Sequence, residues 1–190
     1  MPPESQPDEQ LAARAARGDA PAFEELVRRH QSSLLNFCYR MLADADEAAD
    51  AAQQSFVQVY LHLPRARPDL PFRPWLYRIA RNGCLDRLRA RRTTSLSAVG
   101  DADDPDAPAA LLADPTPLPD ELADRRDLQR LLAEAIGALP ERYRAVVAMR
   151  YVTDLTFAEI GQALGLPENT VKTFFQRSKA LLRDYLRERH

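Results

Sequence analysis

Two cysteines, three histidines, one tryptophan and six glycines are all that 190 residues contain of those types. Cys38 and Cys84 each stand alone in an apolar stretch, and His30, His62 and His190 are scattered. No Cys-x-x-Cys pair or Cys/His cluster exists, so no metal site is expected, and the cysteines read as small buried side chains in a reducing compartment. No stretch approaches the roughly 18 apolar residues of a membrane span. The N-terminal MPPESQPDEQ is polar and acidic with no apolar run behind it, which argues against a signal peptide and for a cytoplasmic protein. Paired carboxylates in a plausible cleft, a phosphate-cradling glycine loop and a nucleophile–base pair are all missing, so neither an enzyme nor a bound cofactor is expected. Strand-like alternation of useful length is absent as well.

Helical periodicity fills the space left by these absences. Leu11 and Ala15 prepare a first helix that ends at Gly18, and Asp19 and Pro21 restart a second. That second helix carries Phe23, Leu26, Val27, Leu34, Leu35, Phe37 and Leu42 at three- and four-residue steps. A third opens near Asp44–Glu47, acids suited to the positive end of a helix dipole, and carries Phe56, Val57, Tyr60 and Leu61 before Pro64. A proline-rich loop leads to a fourth, with Trp75, Leu76, Ile79, Leu85 and Leu88 on its apolar side. After residue 120 the spacing predicts helices over 122–138, 140–152, 156–164 and about 167–189. The fold class is all-α: two small helical domains, 1–92 and 122–190, joined by a flexible acidic linker over 93–121.

Net charge is only −2, but it is partitioned. Residues 1–92 hold 14 basic and 12 acidic side chains, 93–124 hold 0 and 8, and 125–190 hold 12 and 8. The central stretch buries too little apolar surface to offset its ordering, so it reads as a tether. Within it, Leu111–Leu112 could form a short docking element.

The most specific local chemistry is TFAEIGQALGLPENTVKTFF. Thr156 and Glu159 form a capping box, Ile160 and Leu164 face inward, and Gly165 ends the helix with positive φ. Gly161 permits close helix approach, Leu166 plugs the corner, and Val171 begins the inward face of a second helix. This is the helix–turn–helix unit whose second helix is expected in the DNA major groove, although a short helical hairpin that touches no DNA can share the same glycine turn. With Val171 at 0° on a helical wheel, Phe175 falls at about 40° and Phe174 at about 300°, both in the apolar arc. Lys172, Arg177 and Lys179 occupy the polar arc as phosphate or guanine contacts, with Thr173 and Gln176 able to read base edges and Thr170 beside them. Phe175 is expected in the core. Phe174, at its margin, either seals the core edge, lies against DNA sugar or a thymine methyl, or meets an inhibitor.

The fourth helix, FRPWLYRIARNGCLDRLRARR, holds seven arginines against Asp86 alone, with Phe72, Trp75 and Tyr77 at its start. Interleaved aromatics and arginines can hold single-stranded bases. An ordinary amphipathic helix with a solvated arginine face fits the same pattern. Two basic helical modules on one tether favour the nucleic-acid reading, because tethering raises the effective concentration of the second.

Taken together, these blocks resemble bacterial RNA polymerase sigma factors of the extracytoplasmic-function (ECF) type. LAARAARGDAPAFEELVRRHQSSLLNFCYRML resembles the start of that family's region 2, and DADEAADAAQQSFVQVYLHLP its polymerase-binding helix. PFRPWLYRIARNGCLDRLRARR is similar to its promoter-melting and −10 segment, and LPERYRAVVAMRYVTDLTFAEIGQALGLPENTVKTFFQRSKALLRDYL to region 4, the −35 reader. The resemblance implies partners: core RNA polymerase, promoter DNA and an anti-sigma factor. It implies that Asp50 and Gln53, with Gln54 and Val57, dock on the polymerase clamp. It also implies that Arg78, Asn82 and the loop from Arg65 to Phe72 capture an unstacked −10 base, with Arg73, Tyr77, Arg81 and Arg89 on the same surface. The linker would thread through the polymerase, its acidity serving either as a nucleic-acid mimic or simply as a soluble tether. A helix–turn–helix regulator that is not a polymerase subunit is the alternative.

Five positions depart from the family pattern, one of them Phe175, a core exchange where a leucine is frequent. Ala51 and Ala52 replace bulky aliphatics and Gln54 replaces an acid, which predicts a smaller apolar contact with polymerase. In the recognition helix, Phe174 stands where an arginine is frequent, so that arginine's DNA contact is not carried over to it.

Overall fold

The computed structural model describes residues 6–65, 71–97 and 131–188. The proposed linker from residue 98 onward, with Leu111–Leu112, residues 66–70 of the Arg65–Phe72 loop and the expected start of the next helix near 122, lie outside them.

Helix α1 (Asp8–Ala15) buries Leu11 and Ala15 against α2 (Ala20–Leu42). Its position is fixed by polar contacts to the Asp8 carboxylate: His30 Nε2 lies 2.7 Å and the Arg29 guanidinium Nη1 3.0 Å from it. Gly18, with φ of 91°, makes the turn, and the Asp19 side chain caps α2 by accepting from Ala22 N. A left-handed Ala43 ends α2, and Asp44 caps α3 (Ala45–His62) by accepting from Glu47 N at 2.8 Å. A 3-10 turn, Leu63–Arg65, follows. Helix α4 (Phe72–Ser97) runs five residues past the expected boundary at 92. It sends Phe72, Leu76, Ala80 and Cys84 into the core, a strict four-residue stripe.

The second module contains α5 (131–138), α6 (Glu141–Val152), α7 (Phe157–Leu164) and α8 (Glu168–Arg187). Among the described residues no strand occurs, matching the all-α expectation. Helix α6 differs from its neighbours because Tyr143 and every residue from Ala145 to Met149 are buried. A helix apolar on all sides needs partners on all sides. Here α8 covers one side and α2, from the other module, covers the opposite side.

The two modules therefore share one hydrophobic core, which runs from Leu11 through Phe37 and Leu76 to Met149, Ile160 and Phe175. Sequence periodicity pointed to two helical units but gave no sign of this seam. Arginines stitch its edges by capping helix ends across it, where the last carbonyls lack intrahelical partners. Arg144 Nη1 donates to Met41 O at the end of α2 (2.7 Å), while Nη2 donates to Leu139 O (3.1 Å) and Gly137 O. In the other direction, Arg78 donates to Ala163 O (3.2 Å) and Gln162 O in the last turn of α7, and Arg73 donates to Thr153 O beyond α6. Burial pushes the Arg144 guanidinium below its ordinary pKa.

Candidate nucleic-acid and polymerase interfaces

The turn between α7 and α8 is built as the sequence indicates. Thr156 Oγ1 accepts from Glu159 N (3.2 Å), and Glu159 Oε2 accepts from Thr156 N (2.8 Å), closing the capping box. Gly165 adopts φ of 67°. A Cβ on Gly161 would stand 2.7 Å from Leu166 O, so only glycine permits this approach of α7 to the start of α8.

Helix α8 buries Val171, Phe175 and Ser178 and leaves Lys172, Thr173, Gln176, Arg177 and Lys179 exposed, with Thr170 half-buried at the rim. The six candidate −35 residues thus lie on one accessible surface. Lys172 pairs with Glu168 one turn earlier (2.7 Å), and the Thr173 hydroxyl donates to Asn169 O (2.9 Å). Phe175 is 6% exposed, as expected of a core residue. Lys179 Nζ lies 4.7 Å from the Phe175 ring centroid, its chain lying over the aromatic while the charge stays in solvent. Phe174 is half-buried, edge-on to Tyr143 with centroids 5.4 Å apart. Of the three roles open to it, sealing the core margin is the one it occupies here.

The candidate −10 residues on α4 divide. Asn82 and Arg89 are exposed, Arg89 bridging to Asp86 at 3.0 Å. Tyr77 is a correction: it is 1% exposed, its ring meets Phe37 edge-on, and its hydroxyl donates to Ser33 Oγ at 2.9 Å. It is a core residue with a satisfied polar tip and offers no face to a base. Arg73 and Arg78 spend donors on the α6–α7 carbonyls described above. Arg81 is half-buried, with burial lowering its pKa, and donates to Asn82 Oδ1 at 3.3 Å. In this arrangement the second module covers much of the surface expected to meet the −10 element.

Helix α3 carries two stripes of identical spacing. Ala48, Ala51, Ala52, Ser55 and Val59 are buried, whereas Asp50, Gln53, Gln54, Val57 and Leu61, offset by two residues, are exposed. Ala51 and Ala52 consequently set helix spacing inside the module, so their small size removes no area from the outer face. That corrects the expectation of a diminished polymerase contact. Sequence reasoning placed Tyr60 and Leu61 in the apolar set of the helix, yet they are 52% and 60% exposed and extend the stripe holding Val57, 44% exposed. The small-residue stripe opposite was the signal that could have found them.

Cys38 and Cys84 are both buried and free. The Cys38 thiol, hydrogen-bonded with Cys84 and buried, is pushed up, which disfavours its reactive thiolate. Among the described residues no His/Cys/Asp/Glu group could hold a metal, and no helix is long and apolar enough to cross a membrane.

A helix–turn–helix whose second helix exposes a polar face, with a mixed polar–apolar helix face exposed on the other module, is the architecture of a helical transcription factor. The comparisons fix the family. Residues 26–94 match the model described as Sigma-70 region 2, and residues 129–182 match that of Sigma-70, region 4. The chain is 32% identical over 174 residues to the ECF RNA polymerase sigma factor SigW of Bacillus subtilis, covering 90% of this chain and 92% of that one. It is 34% identical over 176 residues to the RNA polymerase sigma-H factor of Pseudomonas aeruginosa, covering 90% of each. Among solved structures, CnrH in complex with the cytosolic domain of CnrY superposes with a TM-score of 0.70 at 28% identity, covering 95% of this chain and 97% of that one. RpoE of Bartonella quintana shares the fold, with a TM-score of 0.69 at 16% identity, covering 87% and 96%. The chain belongs to the ECF RNA polymerase sigma factors and directs core polymerase to specific promoters.

Proposed function

We propose the following division of labour. The outer stripe of α3, from Asp50 to Leu61, docks on core polymerase. The exposed face of α8 reads the −35 element, with Lys172, Arg177 and Lys179 on phosphates or guanine and Thr173 and Gln176 on base edges. Helix α4 holds the melted −10 strand through Arg73, Arg78, Arg81, Asn82 and Arg89. The protein acts in the cytoplasm as an initiation factor without catalysis of its own. RpoE of Bartonella quintana was solved with the anti-sigma factor NepR, and an anti-sigma factor is the proposed inhibitor here.

The observation that carries this reading is the clean partition of α8, with Val171, Phe175 and Ser178 inside and the polar candidates outside. The −10 role carries a condition, because Arg73 and Arg78 are engaged by the second module. Promoter melting by α4 requires the modules to part, and polymerase on α3 together with promoter DNA on α8, bound at separate places, supplies the differential affinity for an open form.

Run-off transcription with core polymerase on a genomic fragment library tests the whole reading. Discrete start sites sharing two upstream elements are expected. Duplex binding without initiation would instead leave a helix–turn–helix regulator. Replacing Arg177 and Lys179 with alanine should weaken −35 binding and lower the slope of its salt dependence by about 1 to 2, while unchanged binding would exclude this helix face. Replacing Asp50 and Gln53 with alanine should weaken core-polymerase binding at least about tenfold, roughly 1.4 kcal/mol, measured by competition. Both side chains are exposed, so the thermal midpoint should not move.

A further inference from the structure

His30 is a buried polar side chain, 8% exposed, that neither interface above uses. It stands on α2, which packs against both α1 and α4, and it is held from both sides. On the α1 side its Nε2 lies 2.7 Å from one Asp8 carboxylate oxygen, and Arg29 Nη1 donates to the other at 3.0 Å and to Gln6 O at 2.7 Å. A carboxylate only accepts, so Nε2 carries the proton. On the α4 side the imidazole lies against Phe72, with ring centroids 5.5 Å apart. The His30 backbone carries a second link: Ser33 Oγ donates to His30 O at 3.1 Å and accepts from the Tyr77 hydroxyl at 2.9 Å.

Phe72 and Tyr77 are anchors at different places on α4. With Phe72 at 0° on a helical wheel, Leu76, Ala80 and Cys84 fall at about 40°, 80° and 120°, and Tyr77 at about 140°. The two aromatics therefore bound the buried arc, one at each edge, and both edges are tied to His30. Arg78, Asn82 and Arg89 fall at about 240° to 280°, on the side away from the core. Holding both edges of the arc resists rotation of the helix about its own axis. At a side-chain radius of about 5–6 Å, a rotation of about 10° would carry the outward stripe roughly 1 Å. That is enough to spoil a site that must hold its groups in one geometry. Asp8 keeps the imidazole in this pose, because without it Nε2–H loses the acceptor it has inside the fold.

We infer that Asp8 and His30 are positioning residues for the −10 surface: they set the rotation of α4 and hence where Arg78, Asn82 and Arg89 meet the unpaired strand. Asp8 lies on α1, ahead of the 26–94 segment that matches region 2, so the first helix belongs to the −10 apparatus rather than merely covering the core. This rests on the reading of α4 as the −10 helix, and it operates once the modules have parted. Neither residue touches DNA.

The test uses holoenzyme assembled from core polymerase and the full chain. The probe is a promoter fragment recovered by run-off mapping, its −35 element duplex and its −10 element held unpaired by a non-complementary template strand. Pre-opening removes the cost of melting, so affinity reports capture of the exposed strand. The readout is a ratio, the affinity for the mapped −10 bases over that for the same probe with one non-template base changed. Wild type should discriminate about fivefold or more at its most sensitive position. Asp8→Ala and His30→Gln should each lower that ratio about threefold, with the corresponding ratio for a changed −35 base unaltered. Asp8→Asn keeps an acceptor for Nε2 and should restore the ratio; no recovery would show that this hydrogen bond is not the link. A ratio does not depend on the fraction of active protein, so lost stability alone does not move it. Asp19→Ala removes the cap of α2 at the same end of the module and should keep the wild-type ratio. A loss equal to that of Asp8→Ala would reduce the effect to general loosening and overturn the positioning role. If Asn82→Ala lowers the ratio while Asp8→Ala or His30→Gln keeps it, the positioning role is overturned and the α4 reading stands. If Asn82→Ala keeps it as well, the α4 reading falls too.

Discussion

Phe175→Ala should destabilise the folded chain by about 3–5 kcal/mol, and urea unfolding should record it as a lower midpoint. The side chain is 6% exposed and sits at the junction of three elements. Its ring meets Phe157 of α7 edge-on at 5.2 Å and the Tyr151 ring of α6 at 5.7 Å. Truncation leaves a cavity that neither helix can close without disturbing the capped turn between α7 and α8. Phe174→Ala should cost much less, since that ring is half-exposed and only seals a margin. Unchanged unfolding for Phe175→Ala together with lost DNA binding would reverse the assignment.

Arg144→Ala should weaken the closed arrangement by about 3 kcal/mol, because a hydrogen bond to a charged group contributes about 1.5–3 kcal/mol. Three carbonyls, Met41 O, Gly137 O and Leu139 O, lose their donor at once. Two of them belong to the second module and one to the first, so the substitution acts on the seam as well as inside one unit. Small-angle scattering should show a larger radius of gyration for the variant. A radius equal to wild type, with only lower thermal stability, would show that the apolar seam alone holds the modules together. Arg144→Lys keeps the charge but not the fork of donors, and should fall between the two.

What the sequence revealed follows from which forces are local. The α7–α8 turn was readable to the residue because each device in it acts within a few positions: Thr156 with Glu159, Gly161 against Leu166, and Gly165 at positive φ. The partition of Phe174 and Phe175 was readable from the wheel, because α8 buries its apolar arc within its own module. Tyr77 was misplaced because its partner, Ser33, is 44 residues away and composition cannot indicate that a phenol is satisfied. Tyr60 and Leu61 were misplaced because both faces of α3 carry apolar residues, and only packing decides which goes inside. The seam was invisible for a related reason. The unbroken burial of Ala145 to Met149 looks like a single-module core until α2 is seen across it.

That burial also bears on how such a chain can diverge. Between Ala145 and Met149 helix α6 has no exposed side chain, so any substitution there must suit two neighbours that otherwise change independently. The outer face of α8 packs against no other helix among the described residues. On the proposed reading, promoter preference can change through exposed Thr173 or Gln176 with the rest of the molecule unaltered, whereas a module borrowed from a relative would have to match α6 on both sides. Packing thus constrains the wall between the two halves most tightly and leaves the exposed face of α8 free to change.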